Sequence, residues 1–206
     1  MMTKIKICGI TNLVDAQAAI DAGADALGFN FCEKSPRYVT AAAASGITSR
    51  ILPLAMRVGV FVNPSEDLVV QAIRECSLNG LQFHGEETPE FCTQFGLITI
   101  KAFRIRDERS LEELAGYSTD AWLLDAYSPE ERGGTGQVFN WDLAIKAQGL
   151  GKPIFLAGGL TPENVAEAVR KVRPFGVDIS SGVESSPGKK DPEKIRAFIS
   201  AVRSAQ

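Results

Sequence analysis

Two side chains in this sequence have the type and the setting for moving protons, Cys8 and Asp125. Cys8 closes the run Lys4-Ile5-Lys6-Ile7-Cys8. In an extended chain, that alternation puts Lys4, Lys6 and Cys8 on one side and the two isoleucines on the other. A lysine directly below a thiol favours the thiolate, the form that takes up a proton. Asp125 ends the apolar run Leu123-Leu124-Asp125. A carboxylate there is costly unless it is solvated, hydrogen-bonded or functional. Partial desolvation raises its pKa and equips it to donate a proton. Both residues also have duller roles open to them: a small packed cysteine, and a carboxylate satisfied by loop N–H groups.

A second group suits an anion. Ala157-Gly158-Gly159-Leu160-Thr161-Pro162 and Ser180-Ser181-Gly182-Val183-Glu184 are glycine-containing segments that let backbone N–H groups approach a phosphate. Arg37, in Ser35-Pro36-Arg37-Tyr38, offers a guanidinium on a proline-stiffened loop, suited to bidentate binding of a carboxylate or to solvent alone. Asp178 is placed to bond across the site or to substrate hydroxyls. Arg132-Gly133-Gly134-Thr135-Gly136 reads either as a cover over the substrate or as a plain connection. His84 is the sole histidine. One histidine without cysteines at ligand spacing argues against a metal site, and a structural or peripheral role is the preferred reading.

These residues need a frame. Short apolar runs alternate with helical spacing along the whole chain: Lys4–Cys8, Ala26–Phe31, Arg57–Phe61, Gly80–Phe83, Ile98–Ala102, Ala121–Asp125, Pro153–Leu156 and Gly176–Ile179 read as strands. Helical patterns follow each, over Val14–Ala22, Ala41–Ile51, Glu66–Glu75, Pro89–Phe95, Ser110–Leu114, Trp141–Lys146, Pro162–Val172 and Pro192–Val202. Cap residues or prolines mark the starts: Thr11 or Asn12, Thr40, Asn63-Pro64-Ser65, Thr88-Pro89, Thr161-Pro162 and Asp191-Pro192. The segments around Asp25, Asp120 and Asp178 look like one repeated design, a helix stop followed by an apolar strand. Eight such units predict a single (βα)8 TIM barrel over residues 1–206, with an open doubly wound sheet as the alternative. In that barrel the active site forms at the C-terminal strand ends, where Cys8, Asp125 and both glycine segments fall, the latter after strands seven and eight where phosphate often binds.

Composition narrows the classes. The 206 residues are 45% apolar and 23% charged, ordinary for a globular protein. A formal charge of −3 with no dominant basic stretch argues against nucleic acid or a membrane surface as partner. No signal peptide or membrane-length apolar run is legible. With four scattered cysteines, Cys8, Cys32, Cys76 and Cys92, a reduced, cytoplasmic protein is expected. Nothing in the pattern separates a monomer from a homodimer.

Lys6-Ile-Cys8-Gly-Ile-Thr11, Gly28-Phe-Asn30-Phe, Ser35-Pro-Arg37-Tyr38, Val60-Phe-Val62-Asn63, Gln82-Phe-His84-Gly85, Leu124-Asp125, Gly133-Gly-Thr-Gly136, Leu156-Ala-Gly-Gly-Leu160 and Val177-Asp178-Ile-Ser-Ser-Gly-Val-Glu184 together closely resemble phosphoribosylanthranilate isomerase, in order over essentially the whole chain. Phe83 stands where that family more often has leucine. The resemblance implies an Amadori rearrangement in tryptophan synthesis, from N-(5-phosphoribosyl)anthranilate to 1-(2-carboxyphenylamino)-1-deoxyribulose 5-phosphate, without metal or organic cofactor. It assigns the base to Cys8, the acid to Asp125, the carboxylate anchor to Arg37 and the phosphate to Gly158, Gly159, Ser181 and Gly182. Other phosphate-binding barrels fit less well. Indole-glycerol-phosphate synthase wants a Lys and Glu pair at the strand ends, a ribulose-phosphate epimerase wants metal ligands, and the related histidine-pathway isomerases want an aspartate where Cys8 stands. A barrel that binds phosphorylated metabolites without turnover leaves the acid and base unexplained.

Overall fold

The computed structural model describes residues 2–53, 55–126 and 141–206. The expected cover over residues 132–136 lies outside them. Eight strands run parallel: β1 (Lys4–Cys8), β2 (Ala26–Asn30), β3 (Met56–Phe61), β4 (Gly80–Phe83), β5 (Ile98–Ile105), β6 (Ala121–Ala126), β7 (Ile154–Ala157) and β8 (Gly176–Ile179). They are hydrogen-bonded in chain order, and β1 pairs with β8, Lys6 opposite Asp178, to close the barrel. That pairing rules out the open sheet.

Seven α-helices cover the strands among the described residues: α1 (Leu13–Asp21), α2 (Ala41–Thr48), α3 (Glu66–Cys76), α4 (Pro89–Thr93), α5 (Trp141–Gln148), α6 (Val165–Val172) and α7 (Pro192–Ser204). Asn12, Thr40, Ser65, Thr88 and Asp191 each accept a backbone N–H two or three residues on, satisfying a donor that the first turn leaves unpaired. Thr161-Pro162 is different. There α6 begins only at Val165, because the Asn164 amide closes the preceding turn, accepting from Thr161 N at 2.8 Å and donating to Gly159 O at 2.8 Å. The expected helix at Ser110–Leu114 is a 3₁₀-helix over Glu108–Gly116. Leu111 and Leu114 fall three apart, the spacing that stacks side chains on one face of a three-residue turn.

Asp25 and Asp120 do share a design. Each stands just before a strand, and its carboxylate accepts the N–H at the start of the preceding strand, Ile5 N at 2.9 Å and Thr99 N at 2.8 Å. Asn79 does the same for Arg57 N at 2.7 Å. Asp178 does not belong with them; it lies inside β8 and faces Lys6.

Apolar packing fills most of the space between sheet and helices. Inside the barrel, Ile100, Ala102, Leu123, Phe155 and Ala157 form a separate cluster along β5, β6 and β7. Across from it, the interior turns ionic. Lys6 is fully buried and its Nζ lies 2.8 Å from Asp178 Oδ1. Burying both ions is expensive and is tolerated only because they are paired. A short antiparallel hairpin, β9 (Glu184–Ser186) and β10 (Lys189–Lys190), follows β8 and was not legible in the strand pattern.

Candidate active site

One cavity of about 270 Å³ opens at the C-terminal end of the barrel. Cys8 comes to it from β1, Asp125 from β6 and Asp178 from β8. Arg37 enters from the loop after β2, Gly158 and Gly159 from the turn after β7, and Ser181 and Gly182 from the turn after β8. Every site residue expected from the sequence therefore borders the same space. A larger hollow of about 600 Å³ adjoins it over β4 and β5 and is lined by neither Cys8 nor Asp125.

The two glycine-containing turns are held against each other. Gly158 and Gly159 take φ of +77° and +68°, a region that strains other residues. A side chain at Gly182 would run into the carbonyl oxygen of Leu160, so the two turns meet backbone to backbone.

Cys8 Sγ and Lys6 Nζ both face Gly28, within about 3 Å of where a β-carbon would stand on it. Burial is the main influence on the thiol and raises its pKa; the Lys6 ammonium pulls the other way, and Asp178 adds to the rise. The net direction is upward. Lys6 thus favours the thiolate as expected, and desolvation outweighs it. Lys6 itself, opposed by burial, is held protonated by Asp178 and Cys8.

Asp125 keeps 30% of its side-chain exposure, and His84 Nε2 stands 3.4 Å from its Oδ2. Solvent and a ring nitrogen, rather than deep burial, surround this carboxyl. Arg37 forms a bidentate pair inside the protein, Nε to Glu184 Oε1 at 2.7 Å and Nη2 to Glu184 Oε2 at 2.8 Å.

A family model described as N-(5'phosphoribosyl)anthranilate (PRA) isomerase matches residues 5–201. The chain belongs to the phosphoribosylanthranilate isomerase family. It is 54% identical over 198 residues to N-(5'-phosphoribosyl)anthranilate isomerase of Pelobacter propionicus, covering 96% of this chain and 94% of that one. The crystal structure of phosphoribosyl anthranilate isomerase from Thermotoga maritima superposes with a TM-score of 0.93 at 42% identity, covering 98% of this chain and all of that one. A second isomerase structure, in complex with reduced 1-(o-carboxyphenylamino)-1-deoxyribulose 5-phosphate, gives 0.90 at 40% identity, covering 98% of this chain and 100% of that one.

Within this isomerase frame, sequence reasoning passed over four neighbours of the site. His84, expected at the periphery, lines the cavity beside Asp125. Gln82, one alternation step below it on β4, is buried with its Oε1 unpartnered among the described residues, and also lines the cavity. The alternation Gly80, Gln82, His84 was the available signal. Glu184 and Lys190, both buried, lie behind Arg37; Glu184 stood out only as the end of the Ser180–Glu184 segment, and no local pattern pointed to its pairing with Arg37 or to Lys190.

Proposed function

We propose that the chain rearranges N-(5-phosphoribosyl)anthranilate to 1-(2-carboxyphenylamino)-1-deoxyribulose 5-phosphate, with Asp125 as general acid and Cys8 as general base. The observation that carries this reading is the meeting of an acid, a thiol and two anion-binding turns around one cavity of about 270 Å³. Asp125 protonates the furanose ring oxygen while the anilino nitrogen lone pair opens the C1′–O bond to give a protonated Schiff base. The Cys8 thiolate then removes the proton from C2′, and the electron pair of that C–H bond neutralises the iminium as an enolamine. Protonation at C1′ and loss of the proton from the C2′ hydroxyl give the ketone. Atoms balance without an oxidant or reductant, so side-chain proton transfer suffices and neither metal nor organic cofactor is required.

Binding follows the same geometry. The N–H groups around Gly158, Gly159, Ser181 and Gly182 take the phosphate, Arg37 takes the anthranilate carboxylate, and Asp178, anchored by Lys6, takes a sugar hydroxyl. Anchors at both ends hold C2′ against Cys8 and the ring oxygen against Asp125. The whole chain acts as one catalytic unit in cytoplasmic tryptophan biosynthesis. No helix among the described residues is long and apolar enough to cross a membrane. The test is the decay of anthranilate fluorescence with freshly made substrate, with and without EDTA. Fast decay unchanged by EDTA is expected; decay no faster than the spontaneous background overturns the assignment.

A further inference from the structure

Arg37 is not a free guanidinium waiting for a ligand. Its Nε and Nη2 are both taken by Glu184, while Nη1 has no partner among the described residues. Glu184 is itself buried and also accepts from Lys190 Nζ at 2.8 Å. Lys190 is 2% exposed, and its Nζ lies 3.2 Å from Ser180 O, at the end of β8. Two buried ions and one half-buried one are thus spent behind the carboxylate anchor, where an apolar cluster of the same volume would be at least as stable.

The hairpin that carries Glu184 and Lys190 is tied to the rim from several sides. Lys190 N donates to Asp15 Oδ2 at 2.8 Å, Thr11 Oγ1 to Gly188 O at 2.5 Å, and Lys194 Nζ to Glu184 O at 2.9 Å. Arg37 crosses Gly9, next to Cys8, where a β-carbon would stand 2.5 Å from Arg37 Cδ. The Arg37 stem therefore lies over Gly9, and Glu184 fixes the plane of its guanidinium.

We infer that Glu184, backed by Lys190, is a positioning residue for substrate recognition: it fixes the Arg37 fork so that the remaining edge meets the anthranilate carboxylate beside Cys8. Resting on the reading of Arg37 above, this assigns a specificity role to the hairpin. The trio carries two positive charges and one negative, so its net charge of about +1 still favours an anion. Charge and orientation make opposite predictions for Glu184→Gln. Removing the negative charge raises the local positive charge and would tighten a carboxylate if charge alone mattered. Loss of the bidentate clamp frees the arginine and weakens the carboxylate if orientation matters.

The experiment measures Kd for two probes, reduced 1-(2-carboxyphenylamino)-1-deoxyribulose 5-phosphate and its phenylamino counterpart without the carboxylate. The wild type, Arg37→Ala and Glu184→Gln are compared. Arg37→Ala is expected to erase the preference for the carboxylated probe. Glu184→Gln is expected to reduce that preference about tenfold, while the carboxyl-free probe, which reports an intact site, binds as before. Unchanged or tighter binding of the carboxylated probe to Glu184→Gln overturns the inference, as does an equal loss of both probes. Should Arg37→Ala also keep the preference, the assignment of Arg37 itself falls. Lys190→Met gives a second check: it lowers the net charge while leaving the clamp, so a smaller drop in carboxylate preference than in Glu184→Gln is expected, and an equal or larger one contradicts positioning.

Discussion

The place of Cys8 at the barrel mouth above Lys6 was legible from the strand end and the alternation of β1, and Lys6 does lie buried near the thiol. The balance of forces was not legible, because burial depends on all eight strands closing over the site. With its pKa raised, the thiol is protonated at neutral pH, and the base form grows as pH rises. The rate of the proton-abstraction step is therefore expected to climb with pH beyond the ordinary cysteine range. Lys6→Met removes the largest influence that favours the thiolate and leaves Asp178 without its cation, and both changes raise the thiol further. A single-turnover pH profile checks this: the rising limb moves to higher pH in the variant, and a limb that stays put or moves down contradicts it. Asp125 was equally legible by position, whereas the approach of His84 to it was not, because a lone histidine carries no spacing signal and the two come from either side of β5.

At the scale of elements, the loop after β4 that carries His84 is pinned by an ion pair that no motif announces. Lys101 Nζ lies 2.7 Å from Glu87 Oε2 and 2.6 Å from Gly85 O, and Glu87 also accepts from Asn63 N and Gly85 N. Both side chains are almost wholly buried. Lys101→Met leaves a buried carboxylate without its cation and is expected to cost about 3–5 kcal/mol. Urea unfolding measures the loss, and a change under about 1 kcal/mol would mean that water already reaches the pair. The strand-start caps were half legible. Asp25 and Asp120 stood out as a repeated pattern, but Asn79 did not, since only the parallel register shows which N–H each accepts. Burial opposes ionisation of Asp25, yet the Ile5 N–H, Lys4 and Arg203 outweigh it and hold the carboxyl below its ordinary value. A carboxyl with a lowered folded-state pKa stabilises the fold above its unfolded value of about 4 and loses that contribution as pH falls through the folded one. Asp25→Asn is expected to be less stable than the wild type at pH 7, with the gap closing in acid; a gap that stays constant down to pH 2 contradicts the linkage.

Over the whole molecule, the barrel was readable because eight strand patterns alternate with helical spacing and little else intervenes. What escaped notice was short or cooperative. β9 and β10 span three and two residues, too few for any period, and the buried Glu184 and Lys190 acquire meaning only when the rim brings them behind Arg37. The last helix is also tied to the start of the barrel, with Arg203 donating to Thr3 O at 2.8 Å and to Asp25 Oδ2 at 3.0 Å. The division of labour between Cys8 and Asp125 is the central claim, and the most direct measurement is the single-turnover rate of fluorescence loss in the wild type, Cys8→Ala and Asp125→Asn at saturating enzyme. Each variant is expected to bind substrate and to turn it over about 10²–10⁴-fold more slowly. A rate close to wild type in either variant would contradict the role given to that residue.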